Sequence, residues 1–295
     1  MRKLLYLFIL FSMISWHTQT HAQRDFSDVE IKPIKLTETV YMLTGSGGNI
    51  GVSVGPDGVL IIDDQFAPLA EKIQTALNNI GGKKPSFILN THWHGDHTGG
   101  NKAFGKDGTI IAHTNVRKRL AEGRPNENRP TPPAPNEALP VITFDAALSI
   151  HFNGEEIHAL HIPHGHTDGD AVITFTKSNV VHMGDLFFNG RFPFVDLNSG
   201  GTIKGYLAGV EKVINQISPN TQIVPGHGNL ATLDDLKKFH QTLTETITII
   251  RKQIDAGKSL EAIQQAKPLE KWTEWGSGFI STDRWIETIF NSYKK

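Results

Sequence analysis

Short apolar runs at 39–43, 50–54 and 59–63 are separated by glycine-rich stretches or by Pro56-Asp57-Gly58, and this pattern predicts three strands early in the chain. Between 68 and 80 the period lengthens. Leu69, Ile73, Leu77 and Ile80 recur every three to four residues and stop at Gly81-Gly82, which predicts a helix. A brief apolar strand at 87–89 then leads into a polar loop. Strand, helix, strand and polar loop is the order expected where functional loops sit at strand ends.

Downstream, 109–112 reads as a strand, 115–121 as a short helix and the Pro- and Asn-rich 123–140 as a loop. Runs at 147–152 and 156–162 flank Asn153-Gly154, a strong hairpin signal, and 171–175 with 180–183 predict a second hairpin. Helical spacing returns at 203–217 and again at 233–254, where Leu236, Phe239, Leu243, Ile247, Ile250 and Ile254 form one stripe. Trp272, Trp275 and Trp285 near the end read as core or lid aromatics. Two β-rich blocks, each followed by helices, predict an α/β fold with helices outside two stacked sheets.

The first residues follow a different logic. A basic start (Arg2, Lys3), an apolar run from Leu4 to about Trp16 and a polar stretch ending at Ala22 predict a cleaved export signal over 1–22, with the remainder periplasmic or secreted. The apolar part is shorter than the roughly 20 residues needed to span a bilayer, so no stable membrane insertion is expected after cleavage. Loss of 1–22 leaves 27 basic against 30 acidic side chains, a formal net charge of -3, which gives no electrostatic reason to expect nucleic acid as a partner. The chain has no cysteine, which excludes disulfides, a thiolate nucleophile and cysteine-ligated zinc, and suits an oxidising compartment.

The candidate chemistry lies in Thr91-His92-Trp93-His94-Gly95-Asp96-His97. His92 and His94 can aim at one cation, with Asp96 and His97 beyond the turn aimed at another; imidazole with carboxylate suits zinc, and also iron or manganese. Local clustering cannot complete two sites. Three later strand ends supply further ligands: His166 in Gly165-His166-Thr167, Asp185 in Gly184-Asp185, and His227 in Pro225-Gly226-His227-Gly228. Among the other histidines, His113, His151, His158, His161 and His182 read as satisfied or surface residues, and His164 stands between that reading and contact with the site.

H-x-H-x-D-H, then G-H-T, G-D and P-G-H-G, each following a strand, resembles the metallo-β-lactamase superfamily over about 39–228. The resemblance implies an αββα sandwich over 23–230, with 231–295 as a helical part packed on the same domain. It implies that His92, His94 and His166 hold one metal and Asp96, His97 and His227 a second, that Asp185 bridges them, and that Asp63 supports the ligands from behind. Two zinc ions and a bridging hydroxide would then hydrolyse an acyl bond, with Asp96 orienting the hydroxide or moving its proton.

For the small-molecule substrate, a β-lactam amide is the first expectation and an ester, lactone or thioester the next. In the best known lactamases of the family a lysine binds the drug's carboxylate; Phe188 stands there instead, leaving Arg191 or Lys204 as the nearest cations. Loops 44–51 and 123–140 are expected to shape the pocket, and Phe187, Phe188, Phe192 and Phe194 to line it or to fill the core. Other readings are an iron-loaded oxidoreductase of the same fold, a phosphodiesterase, or a metal-binding protein without catalysis.

Overall fold

The computed structural model describes residues 25–124 and 130–294. The export signal expected at 1–22 lies outside the described residues, as does part of the 123–140 loop. The chain forms two stacked sheets. The first runs in order β1 (Lys32–Lys35), β2 (Val40–Thr44), β3 (Ile50–Gly55), β4 (Gly58–Ile62), β5 (Phe87–Leu89), β6 (Thr109–His113) and β7 (Ile142–Phe144). The second has order β12 (Gln222–Val224), β11 (Val180–His182), β10 (Asp170–Phe175), β9 (Glu155–Ile162) and β8 (Ala147–Phe152). The αββα sandwich expected from the resemblance is the observed architecture.

Alternation along the strands builds its layers. In β4, Leu60 and Ile62 join residues of the second sheet such as Ile157, Ile173 and Phe175 in the inter-sheet core. Val59 and Ile61 face the other way, onto Ile73 and Leu77 of α1 (Ala70–Asn79). The outer face of the second sheet, with Val172 and Val181, shares a core with α5 (Ile203–Gln216), α6 (Leu233–Asp255) and α8 (Thr282–Tyr293). Trp272 and Trp285 are buried in that core, and the Trp285 Nε1–H donates to Thr246 Oγ1 at 3.1 Å. α4 (Thr114–Glu122) and α7 (Leu260–Gln265) are shorter.

Both predicted hairpins form, and Asn153 and Gly154 take the positive φ values of 51° and 79° that a tight turn requires. Three elements differ from the sequence reading, the last of them at the strand-end edge. β1 carries no alternation to read, since all four of its residues are exposed. β7 has only three residues, within a stretch read as part of no element. The polar histidine segment, read as a loop, turns into a helical turn, α2 (Gly95–Thr98), followed by α3 (Asn101–Phe104).

β4, β5 and β6 run parallel, as do β11 and β12, so their carboxyl ends open on one edge of the sandwich. Asp63, the histidine segment, Asp185 and His227 follow directly from those ends, while His166 sits in the β9–β10 turn. Such edges are where α/β folds place ligands, because the loops there are free of the hydrogen-bond ladder.

Candidate functional site

All seven predicted residues converge at this edge. His92 Nε2 lies 3.1 Å from His94 Nδ1, which lies 2.8 Å from His166 Nε2. Asp185 Oδ2 approaches the same group, 3.8 Å from His92 Nε2 and 3.5 Å from His166 Nε2. Its other oxygen, Oδ1, faces a second group, 3.0 Å from His97 Nε2 and 3.2 Å from His227 Nε2. Asp96 Oδ2 completes that group at 3.8 Å from His97 Nε2 and 3.4 Å from His227 Nε2. The α2 turn produces this division: its N-cap, His94, is extended (φ −65°, ψ 146°), so the helical residues Asp96 and His97 diverge from His92 and His94.

Hydrogen bonds behind the rings fix what each presents inward. Thr91 Oγ1–H donates to Asp63 Oδ2, so at 3.0 Å it accepts from His92 Nδ1–H. His94 Nε2–H donates to Asp196 Oδ2 at 2.9 Å, and His166 Nδ1–H to the Phe194 carbonyl at 2.7 Å. His97 Nδ1–H donates to Asp63 Oδ2 at 2.7 Å, the supporting role expected for Asp63. With those protons outward, the inward nitrogens of the first group are lone pairs. Three lone pairs and a carboxylate at such spacing repel one another unless a cation lies among them. The spacing is also close to the roughly 3.3 Å edge of a tetrahedron whose bonds are about 2.0–2.1 Å, the zinc–imidazole length.

Electrostatics point the same way. Burial pushes His92 well below the usual imidazole range and His166 down to about 4, so both are neutral and ready to ligate at neutral pH. Burial also works against a charged His97, but Asp185, Asp63 and Asp96 outweigh it and hold His97 well above its usual range. Burial disfavours an ionised Asp185, yet His227, His97, His92 and His166 keep its carboxyl well below the usual one. The second group therefore demands positive charge, and His97 Nε2 and Asp185 Oδ1 are buried there facing only charged or ionisable members of the cluster. The donor set fits metal ions in both groups: His92, His94, His166 and Asp185 could hold one, and Asp96, His97 and His227 another.

Glycines make room for these side chains. A Cβ on Gly48 would strike the His97 ring, and one on Gly226 would strike Asp185 Oδ1. Asn49 clamps the two halves, its Nδ2 donating to the carbonyls of Pro225 and Gly228 at 2.9 Å each.

Several contributors carry no sequence signal. Asp196 lies 102 residues from His94; burial opposes its charge, but bonds from His94, Ser199 and Arg124 hold its carboxyl well below the usual range. Arg124 packs on the Trp93 ring and reaches both Asp196 and Ser199. Gln65 Nε2 donates to the Gly48 carbonyl at 2.7 Å, steadying the loop over His97. Of the bystander histidines, His182 is buried between the Asn49 carbonyl and the Gly184 N–H, while His113 and His161 stack 3.8 Å apart. His164 is exposed, bonded to the Gly200 carbonyl and absent from the cavity wall.

A cavity of about 470 Å³ opens over the cluster, lined by Ser46, Gly47, Asp96, Phe66, Phe188, Arg191 and further residues. Loop 44–51 thus shapes it as expected. Loop 123–140 contributes no wall residue among those described; Arg124 acts through Asp196 instead. Phe188, Phe192 and Phe194 line the cavity, whereas Phe187 belongs to the core alone. The cation on the wall is Arg191, and Lys204 is not part of it.

An αββα sandwich with clustered histidines and aspartates at its strand ends defines the class of metal-dependent hydrolases. The chain belongs to the metallo-beta-lactamase superfamily, whose family model matches residues 43–227. It is 21% identical over 256 residues to the Metallo-beta-lactamase type 2 of Bacteroides fragilis, covering 82% of this chain and 96% of the relative. It is 29% identical over 191 residues to the Beta-lactamase-like protein 2 homolog of Drosophila melanogaster, spanning 64% of this chain but only 58% of that protein's length. A Hydroxyacylglutathione hydrolase of Prochlorococcus marinus is 25% identical over 185 residues, 58% of this chain and 64% of the relative. The fold also matches the crystal structure of DIM-1 metallo-beta-lactamase with a TM-score of 0.60 at 20% identity, covering 74% of this chain and 99% of that one.

Proposed function

We propose that the cluster is a binuclear zinc site that hydrolyses an acyl bond of a small-molecule substrate. The observation that carries this reading is the split carboxylate of Asp185, with Oδ2 turned to His92 and His166 and Oδ1 to His97 and His227, so that two ligand sets share one member. The all-imidazole and carboxylate donor set suits zinc, with iron or manganese as the alternatives.

Two divalent ions held there would supply Lewis acidity, the chemistry that lowers the pKa of a water toward about 7 and polarises an acyl oxygen. The side chains direct that chemistry. Asp96 is the open carboxylate of the cluster, 26% exposed against 5% for Asp185, and it lines the cavity, so the part of its carboxylate not turned to His97 and His227 is placed to orient the attacking water and pass on its proton. Phe188 stacks on the His227 ring with centroids 4.9 Å apart and keeps water from that face. Tyr206 O–H donates to the Asp185 carbonyl at 2.8 Å and holds the shared ligand in place.

For the substrate we infer a β-lactam amide first, and an ester, lactone or thioester next. Supporting this are the Bacteroides fragilis relative, aligned over nearly all of its length, and the hydroxyacylglutathione hydrolase among the similar proteins. A substrate anion would meet Arg191, which has no carboxylate partner among the described residues. The place of action we propose is the periplasm or the exterior, from the pattern of 1–22; among the described residues no helix is long and apolar enough to cross a membrane.

The test is a panel of nitrocefin, a lactone, a thioester and a phenyl ester, assayed before and after metal removal. Chelation is expected to abolish turnover and added zinc to restore it. Undiminished turnover in metal-free protein would contradict the reading.

A further inference from the structure

The cavity extends beyond the cluster onto one lining residue, Phe279, that lies after the family-matched segment ends at 227. Phe279, 70% exposed, stands on its wall between the 3-10 turn Glu270–Ser277 and α8. A file of aromatic contacts connects it to the ligands. The Phe194 ring lies 5.7 Å from the His94 ring and 5.7 Å from the His166 ring, and Phe279 meets Phe194 edge-on at 6.2 Å. Behind them the Arg284 guanidinium sits 5.0 Å from the Phe279 centroid and 5.9 Å from that of Phe194. Its charge is thus directed at ring faces.

The segment is held in this position. Phe192 N–H donates to the Trp275 carbonyl at 2.9 Å, a Cβ on Gly276 would strike Thr282, and one on Gly278 would touch the Arg191 stem at 3.4 Å. With Phe66, Phe188 and Phe192 on the same cavity, Phe279 continues an apolar surface rather than standing as an isolated exposed ring.

We infer that Phe279, with Phe194 beneath it and Arg284 behind it, forms a specificity subsite for a bulky apolar group on the acyl substrate, an aromatic ring or an alkyl chain of similar bulk. Two ring-to-ring steps separate Phe279 from the imidazoles, so an acetyl group on the reacting carbonyl stops at Phe194, whereas a phenylacetyl or longer group reaches the rim and covers its exposed face. The gain is burial of apolar surface on both partners. This inference rests on the acyl-hydrolase reading for its biological meaning, but its binding test does not.

Phenylacetate and acetate, titrated calorimetrically into zinc-loaded protein, serve as probes that need no turnover. Phenylacetate is expected to bind more tightly than acetate, and Phe279→Ala to reduce that preference about tenfold. Ile34→Ala, which trims another exposed apolar residue outside the cavity, is expected to leave the preference intact. Because Phe279 is exposed, its replacement leaves the core complete. In parallel, the ratio of kcat/KM for a phenylacetyl over an acetyl ester should fall about tenfold in Phe279→Ala, chiefly through KM, and Phe279→Leu should recover part of it. An unchanged probe preference and an unchanged ester ratio in Phe279→Ala overturn the subsite. A Phe279-dependent preference without ester or lactam turnover upholds the subsite and overturns the acyl-hydrolase reading.

Discussion

Asp196 shows how much of the site depends on residues behind the proposed ligands. It accepts the His94 Nε2–H, and that single bond decides that Nδ1 is the nitrogen turned inward. Asp196→Asn keeps the shape but loses the charge that Arg124 and His94 share. Metal affinity is expected to fall about ten- to a hundredfold, read by competition with a chromophoric chelator, with circular dichroism unchanged. Affinity equal to wild type would remove Asp196 from the account. The seven candidate ligand positions, which the fold brings together, were legible in the sequence because imidazoles and carboxylates close together at strand ends have little packing value. Asp196, Arg124 and Phe279 were not: each reaches the site through the fold, and nothing in its own stretch of sequence marks it.

At the level of elements, α4 depends on a titrating cap. His113 Nδ1 accepts from the Asn115 N–H, which leaves its Nε2–H to donate to the Asp145 carbonyl, and its ring stacks 3.8 Å from His161. Burial lowers both imidazoles below their usual range. A histidine with a depressed folded pKa contributes stability that is complete above its unfolded value of about 6.5 and is lost as pH falls below it. The melting temperature should therefore drop on acidification below about pH 6.5, and His113→Asn, a cap that does not titrate, should flatten that slope. An identical slope in both proteins contradicts the assignment. The strands followed the same logic of visibility. β4 and β10 alternate between two buried faces and announced themselves, whereas β1, exposed throughout, and β7, three residues long, are specified by pairing with neighbours that no local pattern displays.

In the whole molecule, the two groups of candidate ligands draw on both sheets, and the C-terminal helices brace the second of them. Trp285 is fully buried and stacks on Phe192 at 5.5 Å, the neighbour in sequence of Arg191. We propose that the described chain unfolds as one unit. Trp285→Ala should then lower stability by about 3–5 kcal/mol within one denaturant-induced transition, rather than unfold a separate C-terminal step. A biphasic transition would show that 231–294 folds apart from the sandwich. The sandwich itself followed from the order of predicted elements, since two β-rich blocks with flanking helices leave few other ways to bury both faces of each sheet.

The central claim is that His92, His94, His166, Asp185, Asp96, His97 and His227 hold two metal ions together. Equilibrium dialysis against zinc followed by elemental analysis measures it directly. Two zinc ions are expected per wild-type chain and about one in each of His166→Ala and His227→Ala. One zinc or none in the wild type, or two in either variant, would contradict it.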